Sequence, residues 1–190
     1  MIDTAKIEKA VKQIMEAIGE DLNRPGLQET PARTAKMYAE MFEGMQYTNQ
    51  EIASMFSKDF EITASTDWVV MKNISIFSFC EHHFALMYNM VAHIAYKPNG
   101  RVIGLSKIAR IAGMVAKRLQ LQERIAQDIM QVLGMVLHTQ DIMVVVEGEH
   151  SCMTARGVRA NGAQAHTCTS GGIFESNAAI RQEILQRIQG

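Results

Sequence analysis

Trp68-Val69-Val70-Met71-Lys72-Asn73-Ile74-Ser75-Ile76-Phe77-Ser78-Phe79 opens the part of the chain that settles its fold class, and Cys80-Glu81-His82-His83 follows directly. β-Branched and aromatic residues crowd this run, and Ile74 and Ile76 alternate with Ser75 and Phe77, so the pattern predicts a strand. Residues 89–96 read the same way. Pro98-Asn99-Gly100 is a turn signal ahead of Val102-Ile103, and the expectation is a hairpin joining residues 89–96 to that pair.

Working outward, Ser106 is placed to cap a helix with apolar positions Ile108, Ile111, Ala112, Val115 and Leu119. A second helical pattern runs through Ile125, Ile129, Val132, Leu133 and Val136. Residues 142–146 predict a buried strand, residues 165–174 a last one, and Ile180, Ile184 and Ile188 a closing helix. The order strand, strand, helix, helix, strand, strand indicates an α+β fold, an antiparallel sheet with paired helices, over residues 66–190.

Residues 1–65 read as an N-terminal helical segment. Ile7, Ala10, Val11, Ile14, Met15 and Ile18 recur at helical spacing, with Gly19 as a stop. Thr30-Pro31 offers an N-cap and a first-turn proline for a second helix that turns Tyr38, Met41, Phe42 and Met45 inward. Residues 48–67 read as a connection.

At 190 residues and 47% hydrophobic, the chain can bury one core. A net charge of −1 supplies no general field for nucleic acid or an acidic membrane, so an anionic ligand must be held by local Lys and Arg. The start carries no basic-then-apolar leader and no apolar run reaches about 18 residues, so a cytoplasmic protein that neither spans a membrane nor binds nucleic acid is expected. Three cysteines are too few, and odd in number, for a disulfide framework, whereas free thiols can ligate metal.

The densest chemical signal pairs Cys80-Glu81-His82-His83 with His150-Ser151-Cys152, each just past a strand. Thiolate and imidazole are the ligand types zinc prefers, and three protein ligands with an open fourth position mark a catalytic site. Cys80, His83 and Cys152 form one such set; buried thiols beside ordinary polar histidines are the other reading of the same residues. A second cluster, Ser106, Lys107 and Arg110 at a helix start, is either a phosphate seat or a solvated charged face.

Taken in order, Cys80-Glu81-His82-His83-Phe84, His93-Ile94-Ala95-Tyr96, Val102-Ile103-Gly104-Leu105-Ser106-Lys107 with Arg110, Gln120-Leu121-Gln122-Glu123-Arg124, His150-Ser151-Cys152 and Ala155-Arg156-Gly157 resemble GTP cyclohydrolase I. Gly26-Leu27 with Thr30-Pro31 and Arg33, and Gly171-Gly172-Ile173-Phe174, extend the resemblance over most of the chain. It implies a tunnelling fold assembling into a ring, typically a homodecamer, with active sites between subunits. It implies zinc held by Cys80, His83 and Cys152, with Cys168 a bystander. A zinc ion so held would lower the pKa of a water toward about 7.

The resemblance further implies His82 and His150 as proton carriers and Glu123, helped by Gln122, on the guanine edge. Ser106, Lys107, Arg110 and Arg156 would clamp the triphosphate, and Ile103 and Leu105 come with the same motif as substrate-binding positions. The expected reaction opens the guanine ring of GTP, releasing formate and forming dihydroneopterin triphosphate. After Phe84 the sequence departs from the family's usual Pro-Phe and Gly, having Ala85-Leu86-Met87-Tyr88-Asn89-Met90 instead. A pyruvoyltetrahydropterin synthase, on the same fold, would hold zinc by three histidines rather than two thiols. A purine- or pterin-binding scaffold without turnover is the alternative from another class.

Overall fold

A computed structural model describes residues 1–61 and 68–190 of the chain. Three helices come first. α1 (Thr4–Ala17) starts where the Asp3 carboxylate accepts from the Lys6 N–H, α2 (Thr30–Met41) has Pro31 in its first turn, and α3 (Asn49–Met55) begins at a capping box between Thr48 and Glu51. A short 3-10 turn, Glu43–Gln46, joins α2 to α3. The boundary expected between residues 65 and 66 lies outside the described residues.

Strands β1 (Asp59–Glu61), β2 (Val69–Cys80), β3 (Ala85–Tyr96) and β4 (Arg101–Ile103) lead to helix α4 (Leu105–Ala116). Then come β5 (Leu119–Gln120), α5 (Gln122–Leu137), β6 (Ile142–His150), α6 (Ser151–Thr154), β7 (Ala165–Ser170), α7 (Ile173–Ser176) and α8 (Ala178–Gln189). The main sheet has the order β5-β2-β3-β6-β7, antiparallel except for the short parallel contact of β5 with the end of β2. The α+β class read from the sequence stands.

Both faces of this sheet are covered, which is why β6 reads as an unbroken apolar run. Ile142, Val144 and Val146 point to α4 and α5, where Ile108, Ile111, Ile129 and Leu133 are fully buried. Met143 and Val145 point the other way, to Phe174 and to Ile184 and Ile188 of α8. Along β3, Met90, Ala92 and Ile94 keep the period of two, yet Met87 also enters the core. A bulge absorbs the odd residue: Asn89 sits at φ 49°, and the β2–β3 and β3–β6 registers both shift beside it. The unusual segment after Phe84 is therefore strand.

Several expectations change. The hairpin is β2 with β3, turning through residues 81–84, and β4 instead pairs with β1. Strand β3 already has β2 on one edge and β6 on the other, so Val102-Ile103 finds no free edge there. Ser106 does not cap α4, because Gly104 holds the cap position and Ser106 lies inside the first turn. Likewise Thr30 lies inside α2, after Glu29 in the cap position. The last strand stops at Ser170, since Gly172, at φ 56°, turns the chain into α7. Finally, Met45 is exposed rather than inward.

Candidate metal and catalytic site

The end of β2 and the end of β6 lie on opposite sides of β3, with Cys80 paired to Ala85 and His150 paired to Met87. The one-turn helix α6 then returns Cys152 toward Cys80. Two bonds fix that return: the Ser151 hydroxyl donates to the Leu86 carbonyl at 2.7 Å, and Tyr88 and Thr154 share a hydroxyl–hydroxyl bond of 2.9 Å. The turn after Cys80 is closed by the Phe84 N–H on the Cys80 carbonyl. Phe84, at φ 52°, stacks on Phe42 with centroids 5.3 Å apart, and Phe42 lies 4.8 Å from Phe79. Aromatic contacts around the end of α2 thus support the turn that carries His82 and His83.

One ligand atom from each of Cys80, Cys152 and His150 lies within 4.8 Å of the others. Both sulfurs are free thiols. Burial, and then the neighbouring Cys80 sulfur, push the Cys152 thiol up, while Arg156 opposes this. A cation between the buried Cys80 sulfur and the partly exposed Cys152 sulfur would favour the thiolate forms that ligate metal. Soft sulfur donors with an imidazole are the set that a zinc-like ion takes, so the residues present fit such an ion.

Gln122 and His150 interlock. Gln122 is 2% exposed, and its amide nitrogen donates to the carbonyls of Val146 and Ala165, each at 2.9 Å. That orientation leaves its oxygen to face His150 Nε2 at 2.8 Å, so His150 Nε2 carries the proton and Nδ1 keeps a lone pair. Burial lowers the pKa of His150, against the opposing charge of Glu123, and favours the neutral ring.

The other expected residues divide into two groups. His82, His83, Gln122 and Glu123 line the same cavity of ≈ 260 Å³ as both sulfurs and His150. His82 Nδ1 is 3.9 Å from Cys80 Sγ. His83 Nε2 lies 3.0 Å from Arg156 Nη1, and because a guanidinium only donates, that nitrogen is the acceptor. Ser106, Lys107, Arg110, Ile103 and Leu105 are not among the lining residues. They belong to β4 and the first turns of α4, whereas the far end of α4 meets the site: Arg118 accepts from Ser78, and Leu119-Gln120 pair with Phe79-Cys80. Helix α4 has 12 residues, at ~1.5 Å each roughly 18 Å end to end, so Leu105, Ser106 and Lys107 start about a helix length, and Arg110 about half of one, from the end that meets the site. Met87 and Leu121, apolar walls of the cavity, were not singled out from sequence, because an isolated apolar residue looks like any core residue.

The family model described as GTP cyclohydrolase I matches residues 7–189. The chain is similar to a protein named GTP cyclohydrolase 1 from Clostridium acetobutylicum, 50% identical over 188 residues that cover 97% of this chain and 96% of that one. Proteins of the same name from Clostridium beijerinckii and Ruminiclostridium cellulolyticum are each 48% identical over 189 residues, covering 97% of this chain and 96% and 97% of theirs. Among the described residues no helix is long and apolar enough to cross a membrane.

Proposed function

The chain belongs to the GTP cyclohydrolase I family, and from that premise we propose how its own residues open the guanine ring of GTP. The observation that carries the reading is the convergence of two thiols and a neutral imidazole in a cavity that also takes His82, His83 and Glu123. Cys80, Cys152 and His83 hold zinc, and His150 stays beside the metal as a proton carrier. Supporting this division, His83 Nε2 already presents its lone pair to a cation, Arg156, whereas His150 is tied to Gln122. When bound, zinc supplies Lewis acidity that makes water a stronger nucleophile near neutral pH.

The remaining chemistry belongs to side chains. Adding water at C8 requires a proton on the adjacent ring nitrogen and breaks one C8–N bond to leave a formamide. A second water breaks the other C8–N bond and releases formate, and rearrangement of the ribose with loss of one water closes the new ring. His82 and His150 serve the proton transfers of these steps. The Glu123 carboxylate accepts from the guanine ring N–H and amino group. Arg156, beside the sulfurs, reaches the phosphates from the near side. The product is dihydroneopterin triphosphate.

Ser106, Lys107 and Arg110, with Ile103 and Leu105, lie outside the cavity that holds the sulfurs of their own chain and complete the site of another copy. The main sheet supports such an assembly, since most of β2 and the outer side of β7 have no strand partner among the described residues. Joining one open edge to the other, head to tail, would generate a ring, in keeping with the tunnelling fold and homodecamer that the family resemblance implies.

Zinc-loaded protein incubated with GTP releases formate and yields a fluorescent oxidised pterin. Binding of GTP without formate would instead establish the scaffold alternative.

A further inference from the structure

Gln122 stands next to Glu123, the residue assigned to the guanine edge, and adjacency suggests the same duty for both. Its surroundings do not permit that. The side chain is 2% exposed, and its donors face the Val146 and Ala165 carbonyls at 2.9 Å, with Thr167 Oγ1 at 3.4 Å. Its oxygen faces His150 Nε2 at 2.8 Å. An amide offers two N–H donors and one carbonyl, and all of them are engaged inside the protein. Contact with guanine would take the amide from the Ala165 carbonyl or the imidazole N–H, or leave the Val146 carbonyl with the longer bond from the Thr167 hydroxyl at 3.2 Å.

We propose that Gln122 is a positioning residue for His150: it fixes the Nε2–H tautomer and the ring plane so that Nδ1 faces the reacting atoms, and it does not touch the substrate. The Val146 and Ala165 carbonyls act as a ruler. They orient the amide so that only its oxygen can meet the ring, and the ring must answer with N–H. Because both carbonyls belong to the ordered sheet, the tautomer is set by the β6–β7 pairing. This inference rests on the reading of His150 as a proton carrier for GTP.

A double-mutant cycle tests it on the zinc-loaded oligomer with GTP as the probe. Gln122→Met, which keeps the volume and removes the hydrogen bonds, lowers kcat by about tenfold or more with KM for GTP within about twofold. In the His150→Ala background the same change leaves both residual turnover and the GTP dissociation constant, measured by equilibrium dialysis, within about twofold. Gln122→Glu covers the case in which the Met variant does not fold: a protonated carboxyl donates to one strand carbonyl and still accepts from His150, so kcat recovers at least in part with KM unchanged. A rise in KM and in the dissociation constant of the same size with and without His150 would place Gln122 on the guanine and overturn the proposal. Full turnover by His150→Ala would overturn the proposal together with the reading beneath it, and is distinct from the first failure because there His150→Ala is inactive.

Discussion

His83 and His150 illustrate how much one side-chain orientation decides. Each stands near one cysteine in sequence, His83 after Cys80 and His150 before Cys152, and both line the cavity, but His150 is the one whose ring already lies with the sulfurs. The division of labour proposed above has a direct check in metal content. His83→Ala and Cys152→Ala lose bound zinc and turnover while keeping their circular dichroism, whereas His150→Ala keeps its zinc and loses turnover; zinc lost only from the His150 variant would exchange the two roles. His93 offers a second test at this scale. It is 4% exposed, its Nδ1 faces the Asn73 N–H at 3.4 Å, and its Nε2 has no partner among the described residues. Burial lowers its pKa below 6.5, outweighing the favourable charge of Glu147, so the unfolded chain binds a proton that the folded one refuses. The stability this subtracts is absent above 6.5 and grows as pH falls from there toward the folded pKa. His93→Asn keeps an acceptor for Asn73 without a basic ring, so its melting temperature falls less than that of the parent between pH 7.5 and 5.5. An equal fall in both proteins would remove His93 from the account.

At the scale of elements, Arg118 joins the N-terminal helices to the site. Its guanidinium donates to the carbonyls of Gly44 and Tyr47 and to the Asn49 side chain, and pairs with Asp128 at 2.9 Å while only 13% exposed. The same residue's carbonyl takes the Ser78 hydroxyl, two residues before Cys80. Thus the 3-10 turn, α3 and α5 share one side chain while the same residue's backbone holds the end of β2, and Leu119-Gln120 follow it into their pairing with Phe79-Cys80. Arg118→Met leaves Asp128 and two backbone carbonyls without this partner and costs roughly 3 kcal/mol, read as a lower denaturant midpoint with unchanged slope. Lys at this position recovers little, since one ammonium cannot reproduce the planar fork. No sequence pattern marks Arg118 as different from Lys117 or Arg124. The β6 run and the periodicity of α4 and α5 were legible because hydrophobic burial imposes a period, but a guanidinium network has none. Pro98-Asn99-Gly100 was read correctly as a turn, and what failed was the partner, since strand pairing depends on which edges other strands already occupy.

For the whole molecule, the separation of the sulfurs from Lys107 and Arg110 carries the strongest consequence. If one site draws on two copies, Cys152→Ala and Arg110→Ala are each nearly inactive as pure assemblies, and co-assembled they regain a fraction of parental formate release, because some interfaces unite two intact halves. Mixed assemblies no more active than the pure ones would place the whole site within one chain. Lys107→Ala raises KM for GTP more than it lowers kcat, in keeping with a contact that grips the phosphates equally before and during reaction. Sizing of the assembled protein reports the decamer. The exposed Ile14 and Ile18 of α1 leave its apolar stripe only partly used within the chain.

The sequence by itself determined the donor chemistry, two thiols with several imidazoles and a carboxylate, together with the α+β class, because ligand type is a property of residues and burial writes its period into the chain. The tertiary structure decided which imidazole meets the sulfurs, that Gln122 is spent inside the protein, and that the first turns of α4 lie outside the cavity lined by both sulfurs. Those outcomes depend on a bulge at Asn89, on a one-turn helix at Cys152 and on strand edges already filled. Each is a meeting of distant segments that no local pattern encodes.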